Sequence, residues 1–314
     1  MIGSLLLLAA CAQAPDASEV PFLQGVRFYQ SGNHHAARDA FDECLRLRPE
    51  RTDCMTNLAS VLIDLGEDEA QAETLYRNVL NMEPAHSDAA FNLALMLQDR
   101  KVEDALREAA TLYLEVTAAD PRRWDAWANL ATCLAELKDS PIQACRAYQK
   151  AIVELERSHA ATAAAADVGA APEPPAEEKA HLAQLYYGFG MQLSLLSAAQ
   201  CTAFANDPTS LLVGVDASGS SSDSVLVCSE NAQNALRSAL ELNPDHVQAE
   251  HMLAAMLADS GEQVSKASAA FVTSLFDDFS DSFDEKLAAL GYQVQRAITN
   301  ANALPRAHTL ALTL

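Results

Sequence analysis

The sequence predicts an all-α fold: a superhelical solenoid of helix–turn–helix units, followed by a C-terminal amphipathic helical segment. Three observations carry that prediction. A ruler of steps 4, 3 and 5 joins Ala37, Phe41, Cys44 and Pro49, then Ala72, Tyr76, Val79 and Pro84, then Ala109, Tyr113, Val116 and Pro121. Ala232, Leu236, Ala239 and Pro244 repeat it, as do Ala144, Tyr148 and Ala151, with Glu156 where the proline stands elsewhere. The prolines set the repeat length, 35 from Pro49 to Pro84 and 37 from Pro84 to Pro121. Half of the 314 residues are hydrophobic, enough for a continuous core.

Residues 1–20 open on the apolar run from Leu5 to Ala10, which reads either as an apolar tail or as a weak secretory signal. Leu8-Ala9-Ala10-Cys11 resembles a bacterial lipoprotein cleavage box, with Cys11 as the lipidated residue. No Lys or Arg precedes the run, against the cationic start that secretion needs. The expectation is therefore a cytoplasmic protein. A secreted or lipid-anchored form through Cys11 is the alternative, and only that form meets a membrane.

Units one to four occupy residues 21–156. Steps of 4 and 3 place the first three ruler residues on one helical face, and the proline ends the helix. The next helix then carries Leu58-Ala59-Leu62, Leu93-Ala94-Leu97, Leu130-Ala131-Leu134 or Leu253-Ala254-Leu257. In the first unit Gly25 and Phe28 take the small and large roles. Small residues let two helices approach, and large ones fill the hole opposite. This pattern resembles the tetratricopeptide repeat (TPR) over residues 21 to 260. The resemblance implies hairpins that stack, each burying its apolar face on its neighbours.

Two insertions interrupt the ruler. Residues 157–178 are rich in Ala and Pro, without apolar period, and read as a flexible insertion. Residues 179–260 hold units five and six, the first opening on a helix over 179–197 with Tyr186, Phe189, Gly190 and Leu193. A Ser-rich insertion over 207–229 lies inside them. Within it, residues 211–215 and 225–227 can pair as a small hairpin; an unstructured segment fits the same residues.

Residues 261–294 form an amphipathic stretch, with Phe271, Leu275, Phe279, Phe283 and Leu287 four apart and acidic residues on the other sides. One reading is a helix capping the solenoid. The segment from His251 to Val294 also resembles the junction of TPR-containing S-adenosylmethionine-dependent methyltransferases. In that family a glycine-rich cofactor turn follows, whereas residues 295–314, the tail, contain no glycine. The resemblance thus implies a truncated member without its catalytic domain. No catalytic residue and no cofactor are assigned to this chain, S-adenosylmethionine entering only with a missing catalytic domain.

The formal charge of −22 argues against nucleic acid, which needs clustered Lys and Arg. No metal spacing stands out: His34 and His35 fall in a loop, and His246 and His251 are five apart, off the i, i+4 pairing. Cys44, Cys133 and Cys145 fall in helical patterns and read as small buried thiols, while Cys201 and Cys228 flank an insertion and can pair in an oxidising compartment.

The candidate function is protein binding. Asn57, Asn92 and Asn129 recur 35 and 37 apart, each directly before Leu-Ala. Asparagine has poor helix propensity, so its recurrence needs a reason. The resemblance to glycosyltransferases with such repeats implies an asparagine ladder that grips an extended peptide, each amide offering donor and acceptor; ties between neighbouring helices are the other reading. Asp53, Asp88 and Asp125 stand four residues earlier, near helix starts where a carboxylate is favoured. Asp64, Asp99 and Glu136 recur seven residues after the asparagines. Together these make the groove acidic and the expected partner a basic or neutral peptide. The main expectation is a protein-interaction scaffold without catalysis; the alternative is the substrate-recruiting part of a truncated methyltransferase.

Overall fold

The computed structural model describes residues 16–165, 174–207 and 221–259. Twelve helices and no strand are found among them: α1 Glu19–Gln30, α2 His34–Leu47, α3 Thr52–Asp64, α4 Glu69–Met82, α5 Ser87–Asp99, α6 Glu103–Ala119, α7 Trp124–Leu137, α8 Pro141–Ala165, α9 Ala176–Ser194, α10 Ala198–Ala205, α11 Ser221–Leu242 and α12 Val247–Asp259. Hairpins form from α1 and α2, α3 and α4, α5 and α6, α7 and α8, and α9 and α11. Each first helix also touches the next first helix, from α1 to α3, α5, α7 and α9, whereas α2, α4 and α6 do not pack on one another to that extent. The first helices therefore form the tighter, inner wall of the curve, and the second helices back it.

The ruler residues explain this stacking. All fifteen of its helical positions, from Ala37, Phe41 and Cys44 through Ala232, Leu236 and Ala239, are buried. An alanine or glycine at each close approach admits the large residue opposite. Gly25 and Gly188 are the extreme cases: a Cβ at either would lie 2.5 Å from the ring opposite, that of Phe41 or Tyr148. Phe28 departs from its expected role. It is 38% exposed, while its counterparts Leu62 and Leu97 are buried, because α1 has no preceding described hairpin to cover it.

Turns and caps repeat as well. The residue that turns the chain within each of the first four hairpins has positive φ: Gly32, Gly66, Lys101 and Lys138. Side chains of Asn33 and Asp68 cap α2 and α4 by accepting Ala36 N–H and Gln71 N–H. Two histidines cap in the same way through Nδ1: His86 accepts from Ala89 N–H at 3.2 Å and His246 from Ala249 N–H at 3.3 Å. Each stands two residues after a closing proline, Pro84 and Pro244.

Four expectations are corrected. His34 and His35 do not lie in a loop but open α2, because the Asn33 side chain caps the helix just before them. Helix α8 does not stop near residue 156 but runs to Ala165, because Glu156 lacks the ring that ends the other second helices. Residues 225–227 belong to α11, not to a hairpin, since Cys228 is drawn into the helical face that continues through Ala232 and Leu236; residues 211–215 lie outside the described residues. Cys44 is no free thiol: it is bonded to Cys54, tying α2 to α3. Cys201 and Cys228 are joined as well, fastening the short α10 onto α11. Helix α10 starts on a capping box, with Ser197 and Gln200 each bonded to the other's backbone N–H. Cys133 and Cys145 remain thiols, pushed by burial up to about 12, and thus are inert at neutral pH.

Candidate functional site

The inner wall carries the three expected asparagines on successive first helices, α3, α5 and α7, and all three are half-buried. They do not behave alike. Asn57 Nδ2 donates to the Asp53 carbonyl oxygen one turn earlier, at 2.7 Å. Asn92 Nδ2 donates across the unit boundary to Ser60 Oγ at 3.2 Å. Ser60 sends its own proton to the Thr56 carbonyl, so the buried Tyr76 hydroxyl donates to Ser60 at 2.9 Å. That chain of bonds binds α3, α4 and α5 together at the groove floor. The Asn129 side chain makes no hydrogen bond among the described residues, which leaves its amide donor and acceptor unspent.

The aspartates at the helix starts are held by arginines. Arg123 Nη1 lies 3.2 Å from Asp88 and its Nε 3.3 Å from Asp125. Its guanidinium sits 4.1 Å over the Phe91 ring, and Nη1 also donates to Ser87 Oγ. Arg51 makes the same set two hairpins earlier. It pairs with Glu19 at 2.7 Å, donates to Ser18 Oγ at 3.0 Å, lies 4.3 Å over Phe22 and stands 3.9 Å from Asp53. Each arginine precedes a first helix and reaches back to the start of the preceding one. Asp53, Asp88 and Asp125 thus sit beside positive charge, and the groove is less acidic at this end than their recurrence implies. The sequence pattern does not single out these clamps, yet its trace is there: Ser18-Glu19-x-x-Phe22 matches Ser87-Asp88-x-x-Phe91, and Arg51 and Arg123 both stand two after a closing proline.

The opposite end of the wall is different. A recess of about 370 Å³ opens where α1, α3 and α5 end, lined among others by Tyr29, Ile63, Asp64, Asn92, Leu95 and Asp99. It brings together Asn92, Asp64 and Asp99 from the expected set; Asn57, Asn129 and Glu136 lie outside it. The Asp64 carboxylate beside Tyr29 pushes its hydroxyl up to about 12, and burial adds to the shift. Ile63 and Leu95, 37% and 41% exposed, supply an apolar surface that the core leaves unused.

The outer face spends its arginines on carboxylates of neighbouring units. Arg38 pairs with Glu67 at 2.9 Å, Arg77 with Glu108 at 2.6 Å and Arg107 with Asp139 at 2.6 Å. No group of three His, Cys, Asp or Glu side chains fit for a metal occurs among the described residues. None of their helices is long and apolar enough to cross a membrane.

Stacked hairpins with an inner wall of first helices define an α-helical repeat solenoid. More particularly, the family model of the tetratricopeptide repeat matches residues 22–77 and 106–166, which fall on α1–α4 and α6–α8. No curated protein matches the chain in sequence. Among solved structures, it is similar to MamA protein, with 13% identity and TM-score 0.47, covering 72% of this chain and 92% of that one. YrrB, described as a TPR protein with an unusual peptide-binding site, has 13% identity and TM-score 0.49, covering 76% of this chain and 92% of that one. A thermophilic TPR protein of Thermus thermophilus, TTC0263, has 18% identity and TM-score 0.41, covering 77% of this chain and 100% of that one.

Proposed function

We propose that the chain is a protein-interaction scaffold that lays an extended segment of its partner along the inner wall. The observation that carries the reading is the wall itself: first helices in mutual contact, with half-buried Asn57, Asn92 and Asn129 one repeat apart. A peptide backbone repeats its donor and acceptor, and an amide side chain answers both. Selection from a displayed library of random twelve-residue peptides tests this. Enriched peptides are expected to bind the wild type and to lose about tenfold or more in affinity when the three asparagines become alanine, each lost bond being worth roughly 0.5–1.5 kcal/mol. Unchanged affinity removes the groove assignment.

The methyltransferase reading rests on the segment from His251 to Val294, of which residues 260–294 lie outside the described residues. Under it, calorimetry with S-adenosylmethionine gives heat only once a catalytic domain is joined to the chain, so binding by this chain alone contradicts the absence of a cofactor. The two disulfides favour maturation in an oxidising compartment over the cytoplasm. Thiol trapping in intact cells tests this: Cys44, Cys54, Cys201 and Cys228 are expected to resist alkylation until reduced, and four alkylated cysteines contradict it.

A further inference from the structure

We propose that the recess at the ends of α1, α3 and α5 receives a lysine or arginine side chain of the bound segment. The proposal deepens the groove reading and rests on it for the rest of the peptide. Three independent features select a cation with a long apolar stem. Asp64 and Asp99 are the last residues of α3 and α5, one repeat apart, and their carboxylates share the recess. The C-terminal ends of three helices converge there, Tyr29 standing in the last turn of α1, and each end carries the partial negative charge of its helix dipole. Exposed Ile63 and Leu95 offer the stem an apolar bed beside the charge.

The positive group already present does not fill this role. Arg100, which caps α5 and borders the recess, is directed to Glu73 at 2.5 Å. Glu73 in turn also binds Arg77 at 2.8 Å, and the two arginines hold its carboxyl below the usual range. At the other end of the wall Arg51 and Arg123 sit among the aspartates, whereas no arginine or lysine among the described residues is paired with Asp64 or Asp99; Asp64 has only Tyr29 and His34 Nδ1, at 3.8 Å, beside it, and both carboxylates adjoin unused apolar surface. An excess of carboxylates over basic residues across the whole chain adds attraction at long range.

The test uses the full chain and small probes, so its failure is separable from failure of the groove. Nα-acetyl-arginine methylamide and Nα-acetyl-lysine methylamide are titrated while the Met96 and Leu95 methyl resonances are followed. The citrulline and norleucine analogues serve as neutral controls of like size. The cationic probes are expected to shift these resonances saturably and the neutral ones not. Asp64→Asn with Asp99→Asn should weaken the cationic probes about tenfold or more, as befits charged hydrogen bonds. Because Asp64 also lies beside Tyr29 and His34, Asp99→Asn alone is the second variant, expected to weaken binding with both undisturbed. Equal shifts from neutral probes, no shift, or unchanged binding in both variants overturns the proposal. If peptide selection succeeds while these probes fail, the groove stands and the cation recess falls.

Discussion

Lys101 and Lys138 occupy the left-handed turn position that Gly32 and Gly66 fill in the first two hairpins. A side chain is strained there, so Lys138→Gly is expected to stabilise the fold by about 0.5–1 kcal/mol, the relief of strain exceeding the extra freedom of the unfolded chain. Thermal unfolding followed by circular dichroism measures it. The reverse holds at Gly25, where the Phe41 ring leaves no room; Gly25→Ala should destabilise by about 1–3 kcal/mol on the same measurement. His246 adds a pH dependence. Burial keeps its folded pKa below the ordinary 6.5, and its neutral Nδ1 accepts the Ala249 N–H. Its contribution is therefore complete above pH 6.5 and is lost as pH falls below that value, when protonation removes the acceptor. Protection factors of the α12 amides, corrected for intrinsic exchange, should fall on acidification in the wild type, and His246→Asn, a cap without that proton, should flatten the effect. At this scale the sequence is legible wherever size matters. Every helical ruler position is buried, because packing of neighbouring hairpins sets which residue is small and which is large. It is less legible where backbone angle matters, since a lysine gives no sign of the turn that a glycine announces.

Among elements, two kinds of tie hold the hairpins in series. The disulfides are one. Cys44–Cys54 closes a ten-residue separation across the first unit boundary, and Cys201–Cys228 closes 27 residues around the Ser-rich insertion. Each restricts the unfolded chain, by about 2–4 kcal/mol. Reduction is expected to lower the melting temperature, and Cys44→Ala with Cys54→Ala to reproduce part of that drop; a melting curve indifferent to reductant contradicts the pairing. The arginine clamps are the other. Arg123 joins α5 to α7 through Asp88, Asp125 and Phe91, so Arg123→Ala should cost about 1–2 kcal/mol by chemical denaturation, more than loss of an exposed ion pair. The element plan was visible in periodicity and proline spacing. Helix α10, the extension of α8 and the helical start of α11 were not, because an eight-residue helix carries little period and a composition rich in Ala or Ser reads equally as linker.

On the scale of the whole molecule, the proposed function rests on asymmetry between the two faces. The outer face pairs its arginines with neighbouring carboxylates, while the inner wall keeps amides, carboxylates and unburied Ile63 and Leu95. Asn57, Asn92 and Asn129 could be placed on successive first helices from sequence because their spacing matches the repeat. The recess could not, because Tyr29, Asp64 and Asp99 come from three helices whose ends meet only when the hairpins stack. Leu95 and Leu114 form a matched pair for deciding which face binds: both are exposed, at 41% and 51%, the first on the inner helix α5 and the second on the outer helix α6. A photo-reactive benzoylphenylalanine is placed at each in turn and irradiated with a selected peptide. Cross-links at position 95 and none at 114 are the predicted result; cross-links at 114 with none at 95 contradict an inner wall that holds the partner.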